Sequence, residues 1–221
     1  MNSDLFASDS SFERLPLQDA EVLLLRRLDL PRPAPMLLSE LIRDTPWRSE
    51  EVTVWGKRHL QPRLIAWYGD EGRNYTYSGI SMNPLPWTHT LSELRTLVES
   101  KCDAVFNSVL LNYYRDGRDS MGFHSDDEPE LGVRPTIASL SLGQSRLFAF
   151  KRKGHPDAPL VNIELASGSL LLMKGDTQRN WKHGIAKSSR PLGPRVNLTF
   201  RRIEAPKSAV CLARMRPNEF G

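Results

Sequence analysis

The segment GFHSDDEPE, residues 122–130, places His124 two positions before Asp126 in a chain that has five histidines among its 221 residues. On extended backbone, side chains at i and i+2 project from one face, so this imidazole and this carboxylate can offer a nitrogen and an oxygen to one point, while Ser125 faces away. A third ligand would turn such a pair into a metal site. His59, His89 and His155 lie beside proline or in polar loops, whereas His183 sits inside the strand-like run NWKHGIA. A histidine within a strand is also readily a packed core residue, so its surroundings must decide. Two histidines and one carboxylate on one side of an ion leave coordination positions open. That set suits non-haem Fe(II), with zinc as the competing metal.

A second constellation is RVNLTFR, residues 195–201. At a period of two, Arg195, Asn197, Thr199 and Arg201 share one face and Val196, Leu198 and Phe200 share the other. An inward face with two guanidinium groups is costly unless it holds an anion. The loop 187–193, with Pro191 and Gly193, is expected to return this strand beside the one bearing His183, making the anion and metal sites neighbours. On the run 105–114, Asn112 and Tyr114 at i and i+2 carry donors able to join an arginine on a carboxylate.

These residues need strands to hold them. Strand-like runs occupy 105–114, 136–142, 146–151, 160–165, 169–173, 181–186 and 194–202, and AEVLLLRRL (20–28) reads as another. Helices are expected at 33–44, with Leu37, Leu38, Leu41 and Ile42 as one stripe, and at 88–101, where Thr90 to Glu93 forms a capping box. Many short strands at this spacing predict a mainly β fold, a sandwich, barrel or jelly roll, with flanking helices and an α/β region contributed by the N-terminal 90 residues or so. The expected organisation is a flexible tail at 1–19, a lid with supporting helices at 20–104, a catalytic core at 105–203 and a basic tail at 204–221, with 20–203 as one structural domain.

Composition narrows the class. Two cysteines, without CxxC spacing, exclude a disulfide framework and zinc–thiolate chemistry. No apolar run approaches a membrane span and the first 20 residues lack a signal-like core, so the expectation is a soluble intracellular protein with no membrane association. It would be cytoplasmic in a bacterium and nuclear in a eukaryote, and by default a monomer. Residues 1–145 carry 15 basic and 21 acidic side chains, against 15 and 5 in 146–221. The basic third can face a polyanion or simply water.

The motifs LNYYRDG (111–117), FHSDDEPELG (123–132), PTIASLSLG (135–143), SGSLLLM (167–173), WKHGIA (181–186) and PRVNLTFRRI (194–203) together resemble the AlkB family of Fe(II)- and 2-oxoglutarate-dependent nucleic-acid demethylases, especially its duplex-DNA repair members. The resemblance covers about residues 50–203. It implies a double-stranded β-helix holding Fe(II) through His124, Asp126 and His183. Asn112, Tyr114, Arg195, Asn197, Thr199 and Arg201 would then hold 2-oxoglutarate. YTYSG (75–79) is similar to the family's lid, with Tyr77 stacking on an extruded base and Tyr75 lining its approach. VTVWGKRH (52–59) is similar to a hairpin whose aromatic finger, here Trp55, fills the vacated duplex position. Asp127 and Glu128 would meet a cationic alkylated base, and Lys57, Arg58 and 151–153 would hold phosphates. The implied substrate is alkylated DNA, single- or double-stranded, or RNA. The competing expectations are an oxygenase acting on a protein or small molecule, and a non-catalytic nucleic-acid-binding module.

Overall fold

The computed structural model describes residues 11–49, 51–54, 57–72, 75–77 and 80–204; residues 52–54, 57–59, 75–77 and 80–82 are described by backbone course and pairing alone. The elements run β1 (Glu13–Arg14), β2 (Glu21–Leu25), α1 (Ala34–Asp44), β3 (Glu51–Val54), β4 (Lys57–Leu60), β5 (Leu64–Gly69), β6 (Tyr75–Tyr77), β7 (Ile80–Met82) and α2 (His89–Cys102). They continue with β8 (Ser108–Tyr114), β9 (Met121–His124), a 3-10 turn (Pro129–Leu131), β10 (Ile137–Gly143), β11 (Arg146–Arg152), β12 (Val161–Leu165), β13 (Leu170–Lys174), α3 (Thr177–Asn180), β14 (Trp181–Ile185) and β15 (Arg195–Arg201).

Two antiparallel sheets form the frame: seven strands in the order β1-β2-β13-β10-β15-β8-β5, and four in the order β12-β11-β14-β9. From β8 onward the chain changes sheet at almost every step, with β11 and β12 joined as a hairpin. That alternation is the double-stranded β-helix expected from the motifs. β3–β4 and β6–β7 are separate two-stranded hairpins, at the places where the resemblance sets the finger and the lid.

Alternation along the strands divides the large sheet into two unlike faces. Val109 and Leu111 of β8, Ala138, Leu140 and Leu142 of β10, and Val196, Leu198 and Phe200 of β15 pack on one side, under Leu37 and Leu41 of α1 and Leu91, Leu94 and Val98 of α2. Each fully buried leucine there contributes roughly 1.5–3 kcal/mol relative to exposure. The opposite face carries Asn112 and Tyr114, Ser139, and Arg195, Asn197, Thr199 and Arg201, turned toward the small sheet.

Several expectations change. Leu15 and Leu17 are buried and β1 pairs with β2, so residues 13–17 are part of the packed body rather than a loose tail. β2 and β5 join the large sheet, so its strands are drawn from both sides of residue 105. β5 went unread because LIAWYG is buried almost throughout and shows no alternation. The cap of α2 is Thr88, whose hydroxyl accepts from Leu91 N–H at 3.2 Å; Thr90 bonds to Glu40 and Arg32 of the neighbouring segment instead. Two threonines two residues apart compete for one cap, and tertiary contacts draw Thr90 away. Finally, β15 does not lie beside β14: it pairs with β10 and β8, and meets β14 only across the gap between the sheets.

Candidate active site

Strand register brings the two histidines together. β14 pairs with β9 so that His183 lies directly opposite His124, and directly opposed residues share a face. Their rings stand 4.4 Å apart, edge to face. β9 ends at His124, so Asp126 lies beyond the strand. Its N–H donates to Gln178 Oε1 at 3.0 Å, and Ser125 Oγ donates to Trp181 O at 3.0 Å. These bonds fold the segment inward, and Asp126 is 1% exposed. Gly184 allows the close approach of the strands, since a β-carbon there would sit 2.8 Å from Met121 O.

His124 Nε2 lies 3.7 Å from Asp126 Oδ1 and His183 Nε2 lies 3.8 Å from Asp126 Oδ2. Both are too long for hydrogen bonds and lie within the span of two ligands held about 2.1 Å from one ion. All three residues present ligand atoms within 4.8 Å of one another. His124 Nδ1 is 3.1 Å from Gly122 O; donating its proton there leaves the Nε2 lone pair for a metal. Phe148 stacks on the His183 ring at 5.2 Å and fixes its plane.

Electrostatics keep this set in its metal-binding form. Burial alone would raise the Asp126 carboxyl, but Arg201, then His183 and His124, hold it down at about 2. Arg201 Nη2 donates to Asp126 Oδ1 at 2.7 Å. Burial pushes His183 down to about 3, with His124 adding to it and Asp126 opposing, and burial lowers His124 too. Carboxylate and neutral imidazoles are the states that bind metal.

Beside the triad lies a cavity lined by Asn112, Tyr114, Arg195, Asn197, Thr199 and Arg201, with Leu110, Met173 and Ile185 among its apolar walls. Arg195 is 1% exposed and donates from Nη2 to Ser141 Oγ at 3.0 Å, while its Nε and Nη1 are buried with no hydrogen-bond partner among the described residues. Burial pulls its guanidinium down to about 10, so it keeps its charge at neutral pH. A buried cation with spare donors requires an anion. Asn197 is already engaged, donating to Ser139 Oγ at 2.7 Å and accepting from Thr199 Oγ1 at 3.0 Å. The residues therefore fit both groups: a facial triad for a metal, and a cationic pocket with free donors for a small carboxylate.

Some predicted residues stand elsewhere. Asp127 is exposed and paired with Lys153 Nζ at 3.1 Å, and Arg152 pairs with Asp19 at 2.7 Å. Glu128 is half-buried. Trp55 and the side chains of Lys57, Arg58, Tyr75 and Tyr77 lie outside the described residues. Sequence reasoning missed Ser139 and Ser141, although TIASLSL shows their period of two. It also missed Gln178, Phe148 and Arg63, which is 2% exposed and donates from Nε to Asn112 Oδ1 at 2.7 Å. Arg63 precedes β5 without a periodic cue.

A sequence model of the 2OG-Fe(II) oxygenase superfamily matches residues 22–201. The chain is 43% identical over 178 residues to alpha-ketoglutarate-dependent dioxygenase alkB homolog 3 of Mus musculus, covering 77% of this chain and 62% of that protein. It is 45% identical over 158 residues to DNA oxidative demethylase ALKBH2 of Bos taurus, covering 69% and 57%. The chain thus spans about three fifths of the length of these relatives. The solved structure of OsALKBH1 superposes with a TM-score of 0.57 over 87% of this chain and all of that one, at 15% identity, a likeness of fold.

Proposed function

This chain belongs to the 2OG-Fe(II) oxygenase superfamily as an AlkB-type member, and on that premise we propose that it is a dioxygenase that repairs alkylated DNA by oxidative demethylation. Its substrates are N-alkylated bases such as 1-methyladenine and 3-methylcytosine, with RNA as the alternative polymer, and its products are succinate, CO2 and formaldehyde. One observation carries the reading. A His124–Asp126–His183 cluster stands beside a buried arginine that keeps two spare donors.

In this reading His124, Asp126 and His183 would hold Fe(II), and Asn112, Tyr114, Arg195, Thr199 and Arg201 would hold 2-oxoglutarate, with Asn197 beside them. Bound there, iron and 2-oxoglutarate supply the oxidation of an N-alkyl group by dioxygen. The chain's own part is binding, orientation and exclusion of water. Arg195 would offer its remaining donors to a carboxylate of the co-substrate. Arg201 keeps Asp126 ionised and aimed, through its 2.7 Å bond. Leu110, Met173 and Ile185 keep the cavity wall dry. Low polarity around the site strengthens each of these contacts.

The base-recognition roles follow from the resemblance. Tyr77 stacks on the extruded base, Tyr75 lines its approach, Trp55 fills the gap in the duplex, and Asp127 and Glu128 complement the positive charge of the lesion. For Asp127 this means exchanging Lys153 for the base, an exposed ion pair worth about 0–1 kcal/mol.

Incubation with Fe(II), 2-oxoglutarate and air, using methylated single- and double-stranded DNA and RNA oligonucleotides, followed by mass spectrometry of the bases, tests the assignment. Loss of the methyl mass in step with succinate formation supports it. Full 2-oxoglutarate turnover with every methyl group retained would instead point to an oxygenase acting on a protein or small molecule.

A further inference from the structure

Arg146 opens β11 and is 4% exposed, yet it has no place in the ligand sets above. Among the described residues its side-chain hydrogen bonds go to main-chain carbonyls: Nη1 to Asp116 O at 3.2 Å, Nη2 to Asp119 O at 2.9 Å and Nη2 to Ala186 O at 2.8 Å. The two acids nearest in sequence to those carbonyls are already engaged. The Asp116 carboxylate bonds Arg118 at 2.7 Å, and that of Asp119 bonds Arg115 at 2.8 and 3.0 Å. The loop RDGRD therefore neutralises itself and offers Arg146 only backbone oxygen.

The same guanidinium lies 5.7 Å from the centre of the Tyr114 ring, and Arg195 lies 5.2 Å from the centre of that ring. Both are within cation–π range of one aromatic side chain. Tyr114 and Arg195 are also direct register partners on β8 and β15. The carbonyls that Arg146 grips belong to two loops, 115–120 and 186–194, which are packed backbone to backbone. Gly117 O accepts from Ser188 N–H at 2.7 Å, and a β-carbon on Gly117 would meet Arg190 O at 2.8 Å.

We propose that Arg146 is a positioning residue for the co-substrate: it fixes the Tyr114 ring and the seam between these loops, and sets a second positive charge against the ring that Arg195 also faces. The affinity of the pocket for a small dicarboxylate then depends on a residue that does not touch it. This rests on the assignment of the Arg195 cavity to 2-oxoglutarate. Methionine at 146 keeps the length and removes both charge and fork; lysine keeps the charge alone.

The test is calorimetric titration of 2-oxoglutarate into Mn(II)-loaded protein under anaerobic conditions, with Mn(II) affinity and thermal unfolding measured on the same samples. Arg146→Met is expected to weaken 2-oxoglutarate binding about tenfold and Arg146→Lys about threefold, the scale of one buried cation–π contact. Mn(II) affinity is expected to stay within about twofold, and kcat at saturating 2-oxoglutarate to change far less than KM. In a Tyr114→Leu background, Arg146→Met is expected to add less than about twofold, because the ring it acts through is gone. Wild-type 2-oxoglutarate affinity in Arg146→Met, or a parallel loss of Mn(II) affinity, overturns the proposal. If Arg146→Met does not fold, an unchanged affinity in Arg146→Lys overturns it. Failure of the wild-type protein to bind 2-oxoglutarate at all removes the co-substrate assignment and this inference together, whereas a normal wild type with indifferent Arg146 variants removes only the inference.

Discussion

The two faces of the seven-stranded sheet are built from the same strands and could hardly differ more. Toward α1 and α2, β8, β10 and β15 present Val109, Leu111, Leu140, Leu198 and Phe200, all at most 1% exposed. Toward the small sheet the same strands present Asn112, Ser139, Arg195, Thr199 and Arg201, which are buried as well. Burial is therefore common to both faces, and what separates them is satisfaction. The helix side is complete as it stands, because aliphatic contacts need no further partner. The cavity side contains Arg195 donors without a hydrogen-bond partner among the described residues, so it is suited to complete itself with a ligand. A single alternation along one strand thus assigns stability to one face and chemistry to the other.

That contrast is open to direct attack. Asp126→Ala is expected to abolish turnover and metal binding in isothermal titration. It should also lower stability by about 3–5 kcal/mol in denaturant melts, since Arg201 is left as a buried charge without its carboxylate. Leu198→Ala, from the opposite face, is expected to cost about 3 kcal/mol in the same melts while the folded protein keeps its metal and 2-oxoglutarate affinities. Equal loss of affinity in both variants would erase the division of labour.

Arg195→Met sharpens the comparison further. It is expected to weaken 2-oxoglutarate binding on the order of 100-fold, yet leave the ligand-free protein as stable or about 1 kcal/mol more so, because a buried guanidinium with no carboxylate partner among the described residues is removed. Direct titration and a melt without ligand measure the two effects separately. Thr88→Ala should cost about 1 kcal/mol through the lost cap of α2 and leave turnover unchanged. The smallest effect belongs to Cys102, whose thiol burial pushes up to about 12. Peptide mapping after iodoacetamide at pH 8 is expected to find it unmodified in the native protein and modified once unfolded.

Legibility followed the range of the interaction. The polar and apolar faces of β15 were readable from RVNLTFR because the pleat reverses each successive side chain whatever surrounds the strand. The stripes of α1 and α2 were readable for the same reason, at the helical period. Where two local solutions competed, as with Thr88 and Thr90 for one cap, the outcome depended on Glu40 and Arg32, far away in the chain. β5 was invisible because both of its faces are apolar, Ile65 and Trp67 packing in one cluster and Ala66 and Tyr68 in another, so its sequence shows no polar–apolar alternation.

The sequence by itself determined the ligand types and which residues of each strand share a face, the latter a consequence of backbone geometry over a few positions. Only the tertiary structure decided that β14 sets His183 directly opposite His124, that β15 faces β14 across the sheets rather than beside it, that Asp126 is held by Arg201 and Gln178, and that Arg146 stands behind Tyr114. Those outcomes depend on register and sheet closure between segments tens of residues apart, which many side chains fix jointly and no short stretch encodes.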